Sequence, residues 1–155
     1  MGKIMGVDFG DRRTGIAVSD PAAVIAFPRG TIESPLLQHT AAEVARLAAA
    51  EPVDRIVVGH PLNMDGTPGP RAARTAEFTA ELRARTPIPV ESWDERLTSA
   101  VVERVLLDAD TSRAKRRAVV DKLAAQQILQ SWLDAHAAPL PPDGDGDFPE
   151  SAPWT

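Results

Sequence analysis

The 155-residue chain has no cysteine. That excludes a disulfide framework, a thiolate nucleophile, a cysteine-ligated zinc site and an iron–sulfur cluster. It also lacks any apolar run near the ~18 residues that would cross a bilayer. Asp8 ends the first apolar segment, Ile4-Met5-Gly6-Val7, far short of a signal-peptide core, and Gly6 stands where a myristoylation signal needs Ser or Thr. The expectation is a cytoplasmic protein with no membrane partner. Positive charge is not in excess either: 17 Lys plus Arg against 22 Asp plus Glu give −5, whereas phosphate binding ordinarily shows as a basic balance.

The charge is unevenly spread. Residues 137–155 hold five of the 14 prolines, two glycines, Asp143, Asp145, Asp147 and Glu150, and no Lys or Arg. This composition predicts a disordered tail. The remaining −1 belongs to residues 1–136, a length that one domain with its own core accommodates.

Within that domain, residues 3–7 and 15–19 read as two strands of a hairpin, and 24–27 as a third strand that continues past Pro28 toward Ile32. Ser34 and Pro35 look like the N-cap and first position of a helix carrying Leu37, Ala41, Val44 and Ala48 at helical spacing and stopping before Pro52. The unbroken Ile56-Val57-Val58 predicts a central parallel strand over 55–59, covered on both faces. A second helix is expected over 71–85 and a fifth strand over 88–93, near the sheet edge because of Pro89. A third helix capped by Thr98 should run to about Leu107, and a fourth over 114–135. Three strands followed by alternating helices and strands describe an α/β fold with a mixed sheet.

Three acids stand where packing alone would not put them. Asp8 closes an otherwise apolar strand, and strand ends are usual site positions, although an Asx turn opening the hairpin explains it as well. At 100° per residue, Asp121 shares a stripe with Ala114, Ala118, Ala125, Ile128 and Trp132. A lone carboxylate facing a core is costly unless it is paired or bound to a cation. Arg117 or Lys122 offers a simple salt bridge instead, and Val119, Val120 and Leu123 form a competing apolar face. Glu95, beside Asp94 ahead of Thr98, either favours a helix N-terminus or joins the other two. Together Asp8, Glu95 and Asp121 are oxygen donors suited to a hard divalent cation, Mg²⁺ or Mn²⁺.

Arginines lie near these acids: Arg12 and Arg13 in the first loop, Arg71 and Arg74, Arg96, and the cluster Arg113, Lys115, Arg116 and Arg117. A guanidinium next to a metal-binding acid is a natural phosphate contact; singly, each is also explained as a solvated charge. The polar loop 59–67 is long enough to point to use. His60 within it is a general base, a metal ligand or simply structural.

Four motifs in order resemble the YqgF (RuvX) family, described as Holliday junction resolvases and as nucleases of the 16S ribosomal RNA precursor. They are Gly6-Val7-Asp8-Phe9-Gly10 with Gly15-Ile16-Ala17-Val18-Ser19-Asp20; Val58-Gly59-x-Pro61-Leu62-Asn63-Met64-Asp65-Gly66-Thr67; Asp94-Glu95-Arg96-Leu97-Thr98; and Val120-Asp121-Lys122-x-Ala124-Ala125-x-x-Ile128-Leu129. The likeness spans about residues 1–136.

The resemblance implies a ribonuclease H-like fold with strand order 3-2-1-4-5 and Asp8 on the central strand. It implies that Asp8, Glu95 and Asp121 are the catalytic, metal-holding acids of a nuclease acting on branched DNA or precursor ribosomal RNA. Related junction resolvases carry their second carboxylate at the end of the fourth strand, where this chain has Gly59-His60-Pro61; Glu95, or Asp94 in its place, must then reach in from the fifth. Arg12, Arg96, Lys115, Arg116 and Arg117 are the expected nucleic-acid contacts, and the face at Val119, Val120 and Leu123 is one a second copy would cover in a homodimer.

Two other readings compete. Asp8-x-Gly10 followed by Gly15 also looks like the first phosphate loop of actin-like kinases and Hsp70-type ATPases, but those clamp nucleotide between two related domains and this length provides one. A non-catalytic nucleic-acid binder or ribosome-assembly factor on the same fold is the second, and the intact acidic triad counts against it. Setting the three acids aside as ligands leaves residues 1–136 at +2.

Overall fold

In the computed structural model, residues 2–63, 65–95 and 113–137 are described, with side chains in the last stretch from residue 123 onward. Five strands form one sheet: β1 (Ile4–Asp8), β2 (Arg13–Ser19), β3 (Ala26–Glu33), β4 (Arg55–His60) and β5 (Val90–Asp94). Among the described residues three helices flank it: α1 (Leu37–Ala50), α2 (Pro70–Arg85) and α3 (Arg113–Ala135). The spatial order is β3-β2-β1-β4-β5, as the resemblance implied. β1 pairs antiparallel with β2 and parallel with β4, and β4 pairs parallel with β5. The helix expected from Thr98 to Leu107 and the tail at 138–155 lie outside the described residues.

Strand alternation divides the core into two layers. Met5 and Val7 of β1, Ile56 and Val58 of β4 and Val90 of β5 pack with Val44 of α1 and with Phe78 and Leu82 of α2. On the opposite face Ile4, Ala17 and Val57 pack with Ala125, Ile128, Leu129 and Trp132 of α3. Ile56, Val57 and Val58 are all fully buried, so the run that broke the apolar–polar alternation is explained by helices on both sides of β4.

Several boundaries differ from the expected ones, β2 beginning at Arg13 and β5 running Val90–Asp94 among them, and α1 and β3 show why. α1 begins at Leu37, with Leu36 as its N-cap. The Ser34 hydroxyl instead accepts a hydrogen bond from the Leu36 N–H at 3.1 Å, and the Ser34 N–H donates to the Arg12 carbonyl. Ser34 and Pro35 therefore form the turn that brings the chain off the sheet, because Leu36 is still extended (φ −101°, ψ 115°) and the helical conformation begins only after it. β3 starts at Ala26 rather than Val24 and takes in Pro28 and Glu33. Pro28, which has no N–H to give, lies on this edge strand beside the register shift between Ile16 and Ala17.

α3 lies close against β1. A Cβ on Gly6 would fall 2.6 Å from the Leu129 Cβ and 3.0 Å from the Ala125 carbonyl oxygen, so glycine is what lets the helix approach. Trp93 donates from Nε1 to the Ser131 hydroxyl and Trp132 from Nε1 to Glu91 Oε2, both at 3.0 Å, tying the end of β5 to α3. On the other face Phe9, just past β1, stacks on Phe78 of α2 with centroids 4.4 Å apart. The residues following Asp8 are thereby fixed against α2.

Candidate active site

The carboxyl ends of the parallel strands β1, β4 and β5 meet at one edge of the sheet, where sites in α/β folds are commonly built. Asp8 is the last residue of β1, half-buried and paired with Gly15 across the hairpin. Because Ile4 and Gly6 face α3, Asp8 faces that side too. On β5, Glu91 and Trp93 contact α3, so alternation turns Asp94 toward the α1 and α2 layer. Asp94 is the register partner of His60 at the end of β4.

Glu95 follows directly and reaches back over β4. A Cβ built on Gly59 would lie 3.2 Å from Glu95 Oε2 and 2.5 Å from Ile128 Cδ1. The missing side chain of Gly59 leaves room for Ile128 and, beside it, the Glu95 carboxylate, on the α3 face and one strand from Asp8. Burial pushes the Glu95 carboxyl above its ordinary value; the positive charges of Arg71 and His60 oppose that shift and Asp94 adds to it. Arg71 Nη1 stands 4.0 Å from Glu95 Oε1, the longest of the ion pairs described.

Of the acids expected to act together, Asp8 and Glu95 come to the same face. Asp121 is in α3, four residues before Ala125, and its side chain lies outside the described residues. The described residues alone hold no group of three His, Asp or Glu side chains placed for a metal. Arg96 and the side chains of Lys115, Arg116 and Arg117 are also outside them; Arg12 is exposed in the β1–β2 turn.

The loop after β4 is organised by its own polar groups. Asp65 Oδ1 accepts from both the N–H and the hydroxyl of Thr67, and Asn63 donates to that hydroxyl. Leu62 and Pro68 pair across it. Its residues serve to start α2 at Pro70 and to set Arg71 beside Glu95. Nothing local in the sequence marks Gly59, a glycine whose neighbours come from β5 and α3.

Glycine at 59 makes a direct prediction. Gly59→Ala should lower stability by about 1–2 kcal/mol through overpacking and displace Glu95, so that Mn²⁺ affinity falls as well. Gly30→Ala, where nothing lies within 4 Å of the new Cβ, should change neither. Thermal unfolding and Mn²⁺ titration of the two variants check this.

Strand order, the two-layer core and acids at the carboxyl edge define a ribonuclease H-like protein. It shares its architecture with Thermus thermophilus RuvC solved in complex with Holliday junction substrate (TM-score 0.57, 14% identity, 87% of this chain and 95% of that one). The fowlpox virus resolvase in complex with Holliday junction DNA is similar at a TM-score of 0.51, with 11% identity over 88% of this chain and 99% of the other. These likenesses are of fold alone. The chain belongs to the RuvX family, described as Holliday junction resolvase, whose profile matches residues 2–135. Among its relatives is the "Putative pre-16S rRNA nuclease" of Myxococcus xanthus, 45% identical over 92% of this chain and 93% of the other. The protein of the same name from Syntrophomonas wolfei is 46% identical over 85% and 94%.

Proposed function

We propose that the protein is a divalent-metal-dependent endonuclease that hydrolyses phosphodiester bonds in structured nucleic acid, branched DNA or the 16S ribosomal RNA precursor. The observation that carries this reading is the Glu95 carboxylate, withdrawn from water over Gly59 on the face that Asp8 shares. Burial disfavours the charged form of that carboxylate. A hard cation between oxygen donors would favour it, so the residues fit Mg²⁺ or Mn²⁺. Asp8, Glu95 and Asp121 would hold the ion. When bound, it would supply Lewis-acid stabilisation of charge developing on the phosphate.

The chain's own contribution is placement. β1 and β5 fix two carboxylates on one face, α3 carries the third, and Phe9 against Phe78 keeps the β1 end from shifting. Arg12, Arg96 and the Lys115, Arg116 and Arg117 cluster would grip phosphates as point charges and forks, offsetting a net charge of −5. Among the described residues no helix is long and apolar enough to cross a membrane.

The test is cleavage of a four-way DNA junction, a flap and a 16S precursor RNA, each with Mg²⁺, Mn²⁺ or EDTA. The reading expects metal-dependent products from the junction or the precursor. Tight binding with no product under any metal would replace it with a non-catalytic binder. Symmetric cutting of a junction would require two sites, and sedimentation with the junction present then shows two copies per DNA.

A further inference from the structure

Among the described residues most arginines outside the site take close partners. Arg46 meets Glu43, and Arg85 meets Glu81, at 2.8 Å along their own helices; Arg29 meets Glu51 at 2.7 Å, and Arg83 donates to the Val90 carbonyl at 2.9 Å. Arg71 and Arg74 differ. They stand three residues apart on one face at the start of α2 and lean across gaps to other elements: Arg71 to Glu95 at 4.0 Å and Arg74 to Asp11 at 3.4 Å. Their side chains are 62% and 41% exposed, and Asp11 is 70% exposed, so neither pair holds its guanidinium firmly.

With Phe9, Gly10, Asp11 and Thr75 the two arginines line a small cleft directly after Asp8. Beyond the same turn, Arg12 and Arg13 line an open groove of about 530 Å³ with Glu33, Ser34 and Pro35. Four guanidiniums therefore flank the β1–β2 turn, beginning next to Glu95. Spaced cations along one sheet edge suit a chain of phosphates better than a single anion. A guanidinium with five donors can keep a carboxylate at long range and still fork onto a phosphate.

We propose that Arg71 and Arg74 bind the phosphates next to the bond being cut, so that the nucleic-acid strand leaves Glu95 across the α2 side of the sheet edge and over the β1–β2 turn. This rests on the nuclease reading above. It gives the first turn of α2 the role of a backbone clamp, with the strand running from the acids on the α3 face across the sheet edge to the α2 side.

The experiment is equilibrium binding of labelled junction DNA and precursor RNA to the full chain in Ca²⁺, over a range of salt concentrations, alongside cleavage in Mg²⁺ and Mn²⁺. Each phosphate contact contributes about 0.7–0.9 to the slope of log affinity against log salt. Arg71→Ala and Arg74→Ala should each flatten the slope by that amount, Arg71→Lys and Arg74→Lys should restore it, and Arg46→Ala should leave it as in the wild type. A wild type that binds and cleaves, with slopes unchanged in both alanine variants, overturns the clamp and leaves the nuclease reading standing. A wild type that neither binds nor cleaves either nucleic acid overturns both.

Discussion

Asp8→Asn is expected to abolish divalent-dependent cleavage while leaving the fold intact. The substitution keeps the shape of the side chain and removes its charge. Asp8 pairs in the sheet through its backbone, opposite Gly15, so the hairpin is untouched. A residue that only orients a metal ligand typically costs ~10–100-fold when lost; losing a ligand's charge should cost more, beyond ~100-fold in single-turnover rate. Asp121→Asn should behave alike. Unfolding midpoints close to wild type, measured beside the cleavage rates with Mg²⁺ and Mn²⁺, separate loss of chemistry from loss of structure. Undiminished cleavage by Asp8→Asn would remove it from the site.

Gly6→Ala should have the largest effect on stability. The new Cβ would meet the Leu129 Cβ at 2.6 Å and a backbone oxygen at 3.0 Å, and neither atom can escape by rotating a side chain. α3 would have to move off β1, disturbing the layer formed by Ile4, Ala125, Ile128 and Leu129. Overpacking of this kind costs about 1–3 kcal/mol, and the backbone clash places Gly6→Ala at the upper end. For a domain of this size that is a fall of roughly 6–12 °C in melting temperature. Cleavage should fall with it, since α3 carries Asp121. A midpoint equal to wild type, with Gly30→Ala as reference, would contradict the close packing of α3 on β1.

The fold was legible because its strongest signals are local. Ile56-Val57-Val58 could only be a strand covered on both faces, and Pro89 marked the edge. The start of α1 was not, because Ser34 and Pro35 satisfy a helix-capping pattern and a turn equally well; the extended conformation of Leu36 decides it. Asp8 could be singled out as an acid ending an apolar strand.

The choice between Asp94 and Glu95 could not be made from sequence. It depends on which face of β5 meets α3, a fact carried by Glu91 with Trp132 and Trp93 with Ser131. Gly59 was the least legible, since its meaning lies in Glu95 and Ile128, 36 and 69 positions away. The net charge of −5, which first argued against a phosphate-bearing partner, divides into −4 in the tail, −3 on three acids that a cation would offset and +2 on the rest.

The central claim is that Asp8 and Glu95, and not Asp94, share one cation. Calorimetric titration with Mn²⁺ tests it most directly, applied to the wild type, Asp8→Asn, Glu95→Gln and Asp94→Asn. Saturable binding in the wild type and in Asp94→Asn, lost in Asp8→Asn and Glu95→Gln, is the predicted result. Binding that survives in both Asp8→Asn and Glu95→Gln would contradict it.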